Sequence, residues 1–165
     1  MDAIAGFKRD VLVSIHPKHA SKILSGEKTV ELRRRFPEVG IRGTLVMIYS
    51  TSPEKAVVGF ACIKHVLKLP IARIWREYGD AACVSKKEFY AYFSGVRHGV
   101  AILLDSVSPL QRKLKAGDLF TLFGIVPPQS YRYLTADCAA LLRDGRFQAP
   151  DRHKRRHRTG RRQAR

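Results

Sequence analysis

Lys28, Thr29, Glu31 and Arg33 fall within six consecutive positions, and their side chains are of the types that bind or attack phosphate esters and acyl groups. A lysine removed from water loses proton affinity and can act near neutrality. A carboxylate can take a proton, a hydroxyl can serve as nucleophile, and a guanidinium can hold two phosphate oxygens at once. The same residues also have plain structural readings. Glu31 and Arg33, two apart on a strand, would form an ion pair on a solvated face, and Lys28, just after Gly26, would suit the negative end of a helix. Arg34 and Arg35 prolong the charge, and could contact phosphates or simply face water.

The segment must be extended to place these groups together. Read as a strand over Lys28 to Arg35, it puts Val30 and Leu32 on one face and Thr29, Glu31 and Arg33 on the other. Before it, Val11 to Ile15 reads as a buried strand, and the segment PKHASKILSG from Pro17 as a helix of about two and a half turns, with Ala20, Ile23 and Leu24 at helical spacing and Gly26 as its C-cap. Thr44 to Thr51 and Ala56 to Leu69 read as strands joined at Ser52-Pro53, with Gly59 a candidate bulge. Tyr49 and Ser50 close the first of these and are candidates for a cleft rim, where a Tyr stacks on a base and a Ser hydroxyl bonds it. Ile71 to Tyr78 reads as a helix ending at Gly79, and Ser85 with Glu88 as a capping box opening the next. The aromatics of these two helices, Trp75, Tyr78, Phe89, Tyr90, Tyr92 and Phe93, are expected mainly in the core, with one or two free to stack a base. His98 to Val107 and Leu119 to Gly124 read as strands with a Gly117-Asp118 turn between, and Thr135 to Arg143 as a last helix. The expectation is an α+β domain over residues 1–150.

The 165 residues include 31 Lys and Arg against 14 Asp and Glu, a formal net charge of +17. Such an excess points to polyanions, nucleic acid first, because each phosphate neutralised releases counterions. Eight of the basic residues, Arg155 and Arg156 among them, lie in the segment 151–165, which reads as a disordered tail able to bind phosphates. No apolar run approaches the ~20 residues of a membrane span. The N-terminus lacks the apolar core of a secretory signal, so a cytoplasmic protein without membrane partners is expected. Cys62, Cys83 and Cys138 are odd in number and widely spaced, which suits free thiols better than a disulfide or metal framework. His65 and His98 have no second ligand at metal spacing. No metal is expected, and without a glycine-rich phosphate loop no nucleotide cofactor is either.

Taken together, the stretches ILSGEKTVELRRR (23–35), IYSTSPEKAVVG (48–59) and SKKEFYAYFSG (85–95) resemble the ASCH domain of the PUA-like superfamily, over roughly residues 10–135. The core of the resemblance is G-x-K-T-x-E-x-R, here Gly26, Lys28, Thr29, Glu31 and Arg33. It implies a small PUA-like β-barrel flanked by helices, with a cleft floored partly by the strand bearing Glu31 and Arg33, and a role as an RNA-binding or regulatory module. Some members hydrolyse N4-acetylcytidine with the motif lysine, a threonine three residues later and a more distant glutamate. Lys28 matches, but Glu31 occupies the threonine position and the segment 79–84 offers Asp80, Ala81 and Ala82 without a glutamate. A ribonuclease precedent instead needs acid–base groups and a cation, which Lys28, Glu31 and Arg33 could supply. The resulting expectation is a module binding RNA, or a modified nucleoside within RNA, at Lys28, Glu31, Arg33, Arg34, Arg35, Tyr49 and Ser50. The alternative is a hydrolase of RNA or of an acylated nucleoside, in which Lys28, Glu31 and Thr29 would be the working groups.

Overall fold

A computed structural model describes residues 9–38 and 41–144. Six strands form one sheet in the order β2-β5-β4-β3-β1-β6, namely β1 (Val11–Ile15), β2 (Val30–Arg33), β3 (Leu45–Ser50), β4 (Ala56–Pro70), β5 (His98–Lys115) and β6 (Tyr131–Tyr133). Only β1 and β3 run parallel; the other neighbours are antiparallel. Three register shifts interrupt the β4–β5 ladder, at Val57/Gly59, Phe60/Cys62 and Ile63/His65. Each bulge bends and twists its strand, so two long strands curl into a half-barrel rather than a flat sheet.

Side-chain alternation sorts the residues into three cores. Val11, Val13, Ile15, Val46, Ile48, Val58, Ile63, Val100 and Ile102 fill the inner face, closed by Ala20 and Ile23 of helix α1 (Pro17–Leu24). The alternate residues Leu12, Met47, Tyr49, Val57 and Leu114 face helices α4 (Ala116–Phe123) and α5 (Ala136–Asp144). Val30, Leu32 and Ala101 pack with Ile74 of α2 (Ile71–Tyr78) and Phe89 of α3 (Lys86–Tyr92). The capping box at α3 is complete: the Glu88 backbone N–H donates to Ser85 Oγ, and the Ser85 N–H donates to the Glu88 carboxylate. Thr135 Oγ1 accepts from the Cys138 N–H at the start of α5.

Several expectations need correction. Leu119 to Gly124 is the C-terminal half of α4 and its cap, not a strand, and Gly117-Asp118 lies in that helix's first turn rather than in a hairpin. A short apolar run has no period of its own, and what decides here is Gly124 at φ 65°, which ends a helix in the left-handed region. The strand expected over 28–35 is confined to Val30–Arg33, while β5 runs on to Lys115. The three residues of β6 carried no strand signal, and pair with β1 because that edge is open. No disulfide joins Cys62, Cys83 and Cys138. Among the described residues no helix is long and apolar enough to cross a membrane. The segment 151–165, with Arg155 and Arg156, lies outside the described residues, as do the ends of the domain expected over 1–150.

Gly59 sits where α1 crosses the β4–β5 bulge: a Cβ there would stand 2.7 Å from the Ser108 carbonyl oxygen and 2.5 Å from Leu24 Cδ2. Because the first of these is backbone, Gly59→Ala should lower the unfolding free energy by about 1–3 kcal/mol in urea denaturation. An unchanged midpoint would show that α1 does not press on the bulge.

Candidate functional site

The end of β1, the start of α1, β2 and α3 enclose a cleft of about 390 Å³ lined by Ser14, Ile15, His16, His19, Lys28, Glu31, Leu32, Arg33, Val84, Glu88, Phe89 and Tyr92. Its floor follows from the register of β2. Glu31 pairs with Ile102 and Arg33 with Val100, so both polar residues share the inner face with core aliphatics, while Val30 and Leu32 point to α2 and α3. Lys28 precedes the strand in a turn held by its N–H to the Lys22 carbonyl, and its ammonium reaches the α2–α3 connection at Ala82.

Three buried charges meet there. Lys28, 2% exposed, donates from Nζ to the Ala82 carbonyl at 2.7 Å and lies 3.5 Å from Glu31 Oε2. Glu31 Oε1 is 3.1 Å from Arg33 Nη2, which also donates to the Ser14 carbonyl at 2.7 Å. Arg33 Nε is buried without a protein acceptor. One carboxylate thus stands between two cations, leaving a net positive charge and an unsatisfied donor in the cleft. Unsatisfied donors of this kind are costly unless a ligand or water meets them. Burial drives the Lys28 pKa below its ordinary value, with the Glu31 carboxylate opposing the shift.

His16 and His19 extend the site along α1. His16 Nδ1 accepts the Lys18 N–H at 3.3 Å as the helix cap, which places the proton of the neutral ring on Nε2. The two rings are 6.4 Å apart, edge to face. Burial, reinforced by the Lys28 charge, lowers the His19 pKa from 6.5, so this imidazole is mostly neutral at physiological pH. Its Nδ1 is buried with no hydrogen-bond partner. At the mouth, Glu88 is occupied by the Ser85 backbone and by Lys18 at 3.0 Å, and these contacts hold its carboxyl at about 2. Tyr92 Oη accepts the Arg34 N–H at 3.3 Å, and burial raises the phenol's pKa.

The structure therefore brings together Lys28, Glu31 and Arg33 and separates the other expected residues from them. Thr29 is exposed and not part of the cleft wall; its backbone bridges to Ala81 and Leu104. Tyr49 packs into the α4–α5 core, with its hydroxyl pKa raised by burial. Ser50 is fully buried at the end of β3. Neither borders the cleft. Arg34 and Arg35 turn away at the end of β2 into a neighbouring groove. The sequence reading passed over His16, His19 and Ser14. The signal it had was the spacing His16-Pro17-x-His19 directly after a strand, which puts both rings at the first turn of a helix next to the motif. Among the described residues no three of His, Cys, Asp or Glu gather as a metal site.

A protein of Zymomonas mobilis named ASCH domain-containing ribonuclease is 33% identical over 128 residues, 77% of this chain and 85% of that protein. The chain belongs to the ASCH domain family. Residues 10–125 also match the family described as "Domain of unknown function (DUF365)". The crystal structure of ASCH from Zymomonas mobilis superposes with a TM-score of 0.77 at 32% identity, covering 82% of this chain and 94% of that one. Human THYN1 protein, crystallised in complex with 5-methylcytosine-containing DNA, shares the fold at a TM-score of 0.51 and 11% identity, over 86% of this chain and 99% of that one. This ASCH domain is accordingly an α+β, PUA-like half-barrel.

The buried charges should behave as a coupled set. Glu31→Ala, which leaves Lys28 and Arg33 without their carboxylate, should cost about 3–5 kcal/mol in urea denaturation, and adding Lys28→Met to it should restore part of that loss. Strict additivity of the two changes would show that the pair is not coupled. His19 gives a pH signature. Its folded pKa lies below 6.5, so the unfolded chain takes up the proton first, and stability falls as pH drops from 6.5 to the folded value. His19→Asn should flatten that part of the stability curve, and an unchanged slope would contradict the burial of this ring.

Proposed function

We propose that this ASCH domain is an RNA-binding protein whose cleft takes one nucleotide of a single-stranded segment. The observation that carries the reading is the Lys28–Glu31–Arg33 floor. It offers a carboxylate acceptor and an unpaired guanidinium N–H side by side, the pattern that meets the donor and acceptor edge of a base or a phosphate oxygen. Apolar walls from Ile15, Leu32 and Phe89 and the ring of Tyr92 suit a base entering edge first. The net charge of +17 adds sequence-independent affinity for phosphates. Single-stranded RNA is favoured over duplex DNA because its splayed bases can enter a cleft of this size.

A second reading, hydrolysis of RNA, is favoured by His16 and His19 in the same cleft and by the name of the Zymomonas mobilis relative. Neutral His19 would take the proton of a ribose 2′-hydroxyl as its oxygen attacks phosphorus. Arg33 would hold the phosphorane oxygens, and the His19 imidazolium so formed would return the proton to the departing 5′-oxygen, leaving a 2′,3′-cyclic phosphate. Deacetylation of a nucleoside is less well supported. Of the hydroxyls on the cleft wall, Ser14 donates to the Pro128 carbonyl and Tyr92 accepts from Arg34, so neither is placed as a free nucleophile.

Labelled single-stranded RNA, followed for mobility shift and cleavage together, tests both readings. Arg33→Met should weaken binding at least about tenfold, the loss of one charge-assisted hydrogen bond of about 1.5–3 kcal/mol. Equal binding by wild type and Arg33→Met would remove the cleft from recognition. If cleavage occurs, His19→Ala should abolish it while retaining the shift, and a 2′-deoxy substitution in the RNA should block it.

A further inference from the structure

Where β2 ends, a second polar groove of about 340 Å³ opens between Arg34, Arg35, Lys68, Arg97 and His98. Its cations come from three places in the chain: the end of β2, the end of β4 and the turn into β5. Its one carboxylate, Glu38, is 3.6 Å from Lys68. Among the described residues, Arg34, Arg35 and Arg97 have no carboxylate partner. Chain folding has therefore concentrated like charges that repel one another, at a cost that binding of an anion would relieve.

The groove adjoins the cleft through one side chain. Tyr92 lines the cleft, and its hydroxyl accepts the backbone N–H of Arg34, whose guanidinium is pinned on the Ser94 carbonyl at 3.0 Å. A strand whose base enters the cleft past Tyr92 would pass directly over Arg34 into the groove. Bidentate guanidinium groups suit phosphodiester oxygens, which the strand supplies in series.

We propose that this groove is a phosphate track for the single-stranded RNA whose nucleotide occupies the cleft, with Lys68 and Arg97 as contacts additional to Arg34 and Arg35. The proposal rests on the RNA-binding reading above. The track positions the backbone and carries affinity, and the cleft carries selectivity.

The test compares the full-length protein with a Lys68→Ala/Arg97→Ala variant, two exposed positions, by fluorescence anisotropy over a salt series. The probes are an oligouridylate of about 12 nucleotides and uridine 5′-monophosphate. At roughly 0.7 per phosphate contact on single strands, the slope of log affinity against log salt should fall by about 1.4, and oligonucleotide affinity by about tenfold at 150 mM salt, with mononucleotide binding unchanged. Wild-type binding with no change of slope in the variant would overturn the track alone. Failure of the wild-type protein to bind either probe would overturn the RNA reading and the track with it.

Discussion

The arrangement of this ASCH domain depends on closing a curled sheet with a polar side chain. β2 forms one edge, and three strands separate it from β1 in hydrogen-bonding order, yet Arg33 of β2 donates to the Ser14 carbonyl of β1. That contact is feasible because the bulges in β4 and β5 bring the two ends of the sheet around. A guanidinium is long enough to span the remaining gap, and planar enough to serve Glu31 at the same time. The link would be a liability without Glu31, since a buried cation needs a compensating charge.

The same carboxylate ties in the other half of the site. Lys28 is held by Glu31 and by the Ala82 carbonyl, so the α2–α3 connection, the turn after α1, β2 and β1 all converge on one cluster. Hydrophobic burial supplies the bulk stability through three separate cores, each defined by which face of a strand its residues occupy. The charged cluster lies beside the inner core, and Arg33 Nε is buried there without a protein partner. An orphan donor of that kind is a cost to stability that a ligand in the cleft would offset.

Two electrostatic ranges operate together. The surplus of basic residues acts over distances of a Debye length and is screened by salt. The floor of the cleft acts at hydrogen-bond range, where its partial exclusion from water strengthens each contact. The two ranges are separable, because one follows from net charge and the other from the positions of Lys28, Glu31 and Arg33.

By itself the sequence determined the local features whose causes are local. The helix after Pro17, the helix ending at Gly79, the capping box at Ser85 and Glu88, and the pairing of Glu31 with Arg33 on one strand face all depend on residues within a few positions of each other. The motif spacing also singled out Lys28, Glu31 and Arg33 correctly as neighbours. Tertiary structure alone decided what depends on distant parts of the chain. Tyr49 and Ser50 were plausible rim residues until the curl of the sheet turned them into the core, and Thr29 became a surface residue once the strand began at Val30. The apolar run at Leu119 became helix because its partner surface was the outer face of β4 and β5, not a free sheet edge. His16 and His19 joined the cleft because the end of β1 and the start of α1 fold against β2, a proximity that sequence separation does not record; burial and the charge of Lys28 then act on His19.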